Sequence, residues 1–70
     1  MEILHGEIDR VAGFFVFRDN EGRRYGVRPG AVLAVMDGDD SQSSTCVLLP
    51  GGRLAVVDAP FERVLQSLGS

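Results

Sequence analysis

The stretch Thr45 to Leu68, TCVLLPGGRLAVVDAPFERVLQSL, decides the fold. Thr45 to Leu49 and Arg53 to Val57 are short apolar runs on either side of Pro50-Gly51-Gly52, whose glycines permit the positive φ of a tight reversal. They predict a β-hairpin. Beyond it, Asp58 offers a short carboxylate to amides at a helix start, and Pro60 falls in the first turn, where its missing donor costs nothing. Phe61, Val64, Leu65 and Leu68 recur at helical spacing, and Gly69 is a stop signal. A helix over Pro60 to Leu68 is too short to stand alone, so it must dock on the sheet. Leu48, Val56, Phe61, Val64, Leu65 and Leu68 are the expected core.

Working back from the hairpin, Asp37 to Ser44, DGDDSQSS, has no apolar residue and should project into solvent. Ala31 to Met36 is another apolar run, set off by Pro29-Gly30. Phe14-Phe15-Val16-Phe17 suits a pleated surface and is apolar on both faces, as a central strand would be. Asp19-Asn20-Glu21-Gly22 supplies turn chemistry, and Arg23 to Arg28 alternates, so these two segments form a second expected hairpin. Residues 1 to 10 fit a short strand broken near Gly6. The expected fold is mainly β (α+β): a bent antiparallel sheet or small barrel of four or five strands with one C-terminal helix, in a single domain over 1–70.

At 70 residues, such a chain buries only about 60% of the surface it exposes when unfolded. Its core contributes roughly 3–5 kcal/mol without a disulfide, a metal or a partner subunit. Cys46 is the only cysteine and His5 the only histidine, which excludes an internal disulfide and the usual His and Cys metal sites. Self-association is the remaining stabiliser, and a homodimer or higher homo-oligomer is expected. No run approaches the roughly 18 apolar residues of a membrane span, and the N-terminus lacks the basic start and apolar stretch of a signal peptide. No membrane association is expected, and a cytoplasmic location is the default.

Catalysis finds no foothold. General acid-base chemistry needs a sheltered carboxylate or imidazole, and His5 stands beside a glycine near the terminus. Cys46 lies within an apolar strand, where a thiol behaves as a small hydrophobe. Asp37, Asp39 and Asp40 suggest a calcium loop, but counting from Asp37 the sixth position is Gln42 rather than glycine and the twelfth is Leu48 rather than glutamate. No lysine exists for a phosphate-binding loop. The expectation is a non-enzyme with no cofactor, metal site or catalytic residue.

Binding is the remaining class. Residues 31–70 contain five acids and two arginines, against five of each in residues 1–30. The acids Asp37, Asp39 and Asp40, with Glu62 and Arg63 on the helix, are the candidate partner-binding residues. The first hairpin gathers Arg18, Arg23, Arg24 and Arg28 with Phe15, Phe17 and Tyr25, cations for phosphates and rings for stacking. Residues 6 to 27, GEIDRVAGFFVFRDNEGRRYGV, resemble the opening of cold-shock domains, and that resemblance implies base stacking on Phe15, Phe17 and Tyr25. A single-stranded nucleic-acid-binding small β-barrel is therefore the alternative reading.

Across residues 45 to 68, Thr45, Val47, Leu49, Gly52, Val57, Phe61, Val64 and Leu68 follow a pattern similar to the ending of small bacterial regulatory proteins of the FlbD type. Comparable patterns occur in uncharacterised bacterial and phage proteins. The resemblance implies an architecture and a regulatory role, with no functional residue attached. The leading expectation is a non-enzymatic protein-binding or regulatory accessory module of a bacterium or phage. A phage anti-defence protein blocking a host complex, its acids mimicking phosphates, is a further alternative.

Overall fold

Six strands form one sheet in the computed structural model, which describes residues 3–69. They are β1 (Ile3–Val11), β2 (Phe14–Arg18), β3 (Arg24–Val27), β4 (Ala34–Asp37), β5 (Thr45–Leu49) and β6 (Arg53–Val57), followed by helix α1 (Phe61–Gly69). The order across the sheet is β3-β2-β1-β6-β5-β4. The mainly β character and the C-terminal helix are those expected. The sheet, however, has six strands, is not closed into a barrel, and is mixed rather than purely antiparallel. Its one parallel pair, β1 with β6, joins two three-stranded meanders at the centre. Met1, Glu2 and Ser70 lie outside the described residues.

The meanders follow their turn chemistry. Ala12 and Gly13, with φ of 53° and 86°, connect β1 to β2 in a two-residue turn. Positive φ at both central positions is the type I′ pattern, which matches strand twist. Between β2 and β3, Asp19 is the organiser: its Oδ1 accepts the amides of Glu21 and Arg23, both at 2.9 Å, and its Oδ2 accepts Arg23 Nε at 2.9 Å. Pro29–Ala31 forms a 3-10 turn leading to β4, and Pro50–Gly52 closes the β5–β6 hairpin as a tight turn with Gly51 at φ 81° and Gly52 at φ 74°.

The first strand is not broken at Gly6. It continues for nine residues and carries an irregularity between Gly6 and Arg10, where the pairing shifts from Gly6 opposite Phe17 to Arg10 opposite Phe15. The segment Glu7-Ile8-Asp9 thus opposes Val16 alone. Because the excess is two residues, side-chain alternation survives it. Gly6 itself is required by close approach: a Cβ there would stand 2.5 Å from Phe17 Cδ1 and 2.8 Å from the Val16 carbonyl oxygen.

One face of the sheet holds the core. Leu4, Phe15, Phe17, Val47, Leu49, Ala55 and Val57 are buried together with Ala59 and Val64, and α1 packs over them. Fully burying a side chain of this size is worth roughly 1.5–3 kcal/mol. Two links fasten the helix. Buried Thr45 donates its hydroxyl to the Ala59 carbonyl at 2.7 Å, fixing the segment that leads into α1. At the other end, the Arg10 guanidinium donates to the Ser67 carbonyl, and the Ser67 hydroxyl donates to the Ile8 carbonyl at 3.3 Å.

Three sequence expectations are corrected. Leu48 and Val56 lie on the opposite face from the core and are only half-buried, because the period-2 parity of β5 and β6 turns Val47, Leu49, Ala55 and Val57 inward. Leu65 is 43% exposed, since the short helix buries a stripe centred on Val64. The Val64 amide donates to the Pro60 carbonyl at 3.1 Å, so the cap position of α1 is Pro60, two residues beyond the expected cap at Asp58.

Candidate partner-binding surface

Topology concentrates acids at one end of the sheet. Alternation along β1 turns Glu7 and Asp9 to the exposed face while Ile8 points to the core. Parallel pairing sets this end of β1 beside the end of β6, so Asp58 joins them. A groove there is lined by Glu7, Asp9, Asp58 and Arg63, among others. Because Asp37 pairs with Thr45 and Thr45 with Val57, the loop between β4 and β5 overhangs the same end.

Within that loop the three predicted aspartates play different parts. Asp39 accepts hydrogen bonds from the Ser43 hydroxyl at 2.8 Å, the Ser41 hydroxyl at 3.0 Å and the Ser43 amide at 3.0 Å. The Ser43 hydroxyl is the largest influence holding its carboxyl below the ordinary value, with the Ser41 hydroxyl and the Ser43 and Ser44 amides acting alongside it against a smaller effect of burial. It therefore shapes the loop. Asp37 and Asp40 are exposed, as are Glu62 and Arg63 on the first turn of α1. The structure brings all five predicted partner-binding residues to one end and adds Glu7, Asp9 and Asp58, which sequence reasoning missed. Alternation in β1 could have signalled Glu7 and Asp9, but nothing local predicts the parallel pairing that places them beside Asp58.

The arginine-rich hairpin is arranged differently from the nucleic-acid reading. Phe15 and Phe17 are 3% and 2% exposed, with ring centroids 6.3 Å apart, so they are core and present no ring to a base. Tyr25 is half-buried, its hydroxyl donates to Asp19 at 3.5 Å, and the Arg53 guanidinium lies 5.3 Å from its ring centroid. Arg23 is held by Asp19 and Glu21. Arg28 lies over the Phe14 ring at 4.7 Å. Arg18 and Arg24 pair across β2 and β3 in one row with His5. That row borders a groove which Glu7 and Asp9 also line, weakening its field for phosphate.

The sheet face away from the core carries a further feature. Registers align Ile3, Leu54, Leu48 and Ala34 in one row and His5, Val56, Cys46 and Met36 in the next. Ile3 and Met36 are 44% and 45% exposed, and neighbouring Leu33 is 65% exposed. The apolar runs of the sequence contained this face, but a run apolar at every position does not reveal that half of it stays uncovered.

Among the described residues no group of three or more His, Cys, Asp or Glu could hold a metal ion, and no helix is long and apolar enough to cross a membrane. Cys46 is a half-buried free thiol. Comparison with protein-family models, curated proteins and solved structures found no match.

Proposed function

We propose that this protein is a non-enzymatic binding module, regulatory or accessory in role, whose acidic end engages a basic surface on a partner protein. The observation that carries this reading is the convergence of acids from four separate parts of the chain: Glu7 and Asp9, the loop aspartates, Asp58, and Glu62. Such a concentration steers a basic partner and raises its association rate in a salt-dependent way. The similarity of residues 45 to 68 to FlbD-type regulators supports the regulatory role. A phage protein that blocks a host complex would use the same surface against a nucleic-acid-binding groove.

The test is affinity capture from the source cell, with and without nuclease, using the wild-type chain and an Asp40→Lys, Asp58→Lys double variant. A protein retained through nuclease treatment and lost with the double variant is the expected result. Retention of the same partner by the variant would refute the acidic surface. Loss on nuclease treatment would favour nucleic-acid binding through Arg18 and Arg24, the two predicted arginines that combine exposure with a shared row.

A further inference from the structure

We infer that the free edge of β3 is a docking site for an extended peptide strand in which acidic and apolar residues alternate. β3 closes one side of the sheet and pairs only with β2. The Asp19 amide bonds to the Arg23 carbonyl at 3.0 Å, which makes these two a hydrogen-bonded pair, and antiparallel ladders alternate such pairs with unbonded ones. Tyr25 and Val27 therefore direct their amides and carbonyls toward Phe17 and Phe15 on β2, while Arg24 and Gly26 direct theirs outward. Both of these residues are exposed, and outward amides and carbonyls are the template on which another strand pairs. Extended backbone continues through Arg28, at φ -72° and ψ 142°.

A groove of about 360 Å³ follows this edge. Tyr25, Gly26, Val27 and Arg28 line it in unbroken succession, with Leu49 and Pro50 among its other walls. Consecutive strand residues point to opposite faces, so a cavity that all four line opens along the edge and not on one face. Gly26 gives an independent sign. It lies outside the left-handed φ range, and a Cβ there would meet only Phe14, no nearer than 3.5 Å. The monomer thus has room for a side chain at a position where glycine weakens a strand, whereas the close approach of a second backbone is a reason for glycine to stand there.

Charge selects the occupant. Arg24, Gly26 and Arg28 share one side of the strand, with Arg18 beside Arg24 and the Phe14 ring under Arg28. A second copy pairing antiparallel about Gly26 would set Arg24 of each chain opposite Arg28 of the other, and like charges directly opposite are destabilising. An added strand with acids at those two positions forms cross-strand ion pairs instead. Among the described residues, Asp19 and Glu21 bind Arg23, and Glu7 and Asp9, which border a groove with Arg18 and Arg24, stand two strands away on β1. Residues on either side of the one opposite Gly26 point the other way, into the groove beside Tyr25 and Val27, and are apolar. The recognised pattern is acid-apolar-any-apolar-acid, with main-chain bonds giving affinity and alternate side chains specificity.

The probe is a fluorescein-labelled peptide with blocked termini, Ser-Glu-Val-Thr-Val-Glu-Ser, titrated into the full chain by fluorescence polarisation. Saturable binding below millimolar peptide is expected, with the Arg24 and Gly26 amides the most shifted in an amide NMR spectrum. The same peptide with lysine for glutamate should bind at least roughly 10-fold more weakly. Gly26→Pro removes an outward donor without touching a ladder bond of the monomer and should weaken binding by roughly 10-fold. On the unaltered protein, N-methylation of the peptide's threonine should do the same, whereas N-methylation of either valine, whose amide faces away, should have no effect. A double Arg24→Glu, Arg28→Glu variant should prefer the lysine peptide. Absence of binding at millimolar peptide, equal affinity for the threonine-methylated peptide, or preference of the wild type for the lysine peptide would each overturn the inference. So would a dimer that Gly26→Pro dissolves, since a second copy would then occupy the edge.

Discussion

Replacing Ala12 by asparagine should stabilise the protein. Ala12 and Gly13 form the whole connection between β1 and β2, and Ala12 sits at φ 53°. The left-handed conformation costs an ordinary L-residue roughly 1–2 kcal/mol, which asparagine relieves by local hydrogen bonding. Ala12 is exposed, so the exchange sacrifices no packing. Asn-Gly is also the pair most favoured in type I′ turns. Glycine at position 12 would release the same strain, but its added freedom in the unfolded chain takes back about 0.5–1 kcal/mol. The expected gain for Ala12→Asn is therefore about 0.5–1 kcal/mol, with Ala12→Gly gaining less. For a chain of this size that corresponds to a rise in Tm of roughly 4 °C. Urea unfolding followed by circular dichroism should show a higher midpoint at unchanged slope. Protein concentration must be held fixed, because dimerisation would add to apparent stability. The reasoning fails if Ala12→Asn is no more stable than wild type, or if Gly13→Ala, at φ 86°, proves harmless.

Gly6→Ala should destabilise by roughly 1–3 kcal/mol, since its methyl would meet the Phe17 ring and the backbone oxygen of Val16; an unchanged urea midpoint would show that β1 and β2 separate more easily than the register implies. Thr45→Val leaves the Ala59 carbonyl without its buried donor and should lower stability by about 1–3 kcal/mol, read as a loss of Tm, and a neutral result would mean that water replaces the hydroxyl. Burial opposes ionisation of Asp19, but the Arg23 amide and side chain and the Glu21 amide outweigh it and hold the carboxyl below its ordinary value of 3.8. The fold thus favours the ionised form, so this contribution is present above that pH and is lost as pH falls through the lower folded value. Asp19→Asn should be less stable than wild type at neutral pH, with the difference narrowing on acidification below about pH 4; a constant difference would contradict the assignment.

Local signals carried the hairpins and the helix because each is written within a few neighbouring residues. Pro50-Gly51-Gly52 and the Phe61, Val64, Leu68 spacing sufficed for the last two elements. Facing was harder to read. In Thr45 to Leu49 and Arg53 to Val57 nearly every residue is apolar, so alternation is hidden and the sequence points to Leu48 and Val56 where the fold buries Val47, Leu49, Ala55 and Val57. The strand irregularity after Gly6 was legible only as a glycine. The need for glycine there, set by the approach of Phe17 and the Val16 carbonyl, comes from a neighbouring strand. The candidate acids were found where they are contiguous, in Asp37 to Asp40, and missed where the fold assembles them. The paired rings of the first hairpin suggested base stacking, but in so small a chain Phe15 and Phe17 are needed for the core.

The parallel contact of β1 with β6 builds the proposed acidic surface. Had these strands met antiparallel, the end of β1 that bears Glu7 and Asp9 would lie beside the start of β6 rather than beside Asp58. Parallel pairing instead puts like charges together at one end, which repel one another and tend to destabilise the fold. A basic partner relieves part of that repulsion, and Asp39 and Asp40, on the projecting loop, extend the acidic end toward it. Asp40→Lys should therefore weaken partner binding while the far-UV circular dichroism stays that of the wild type, and capture of the same partner at undiminished affinity would refute the acidic surface.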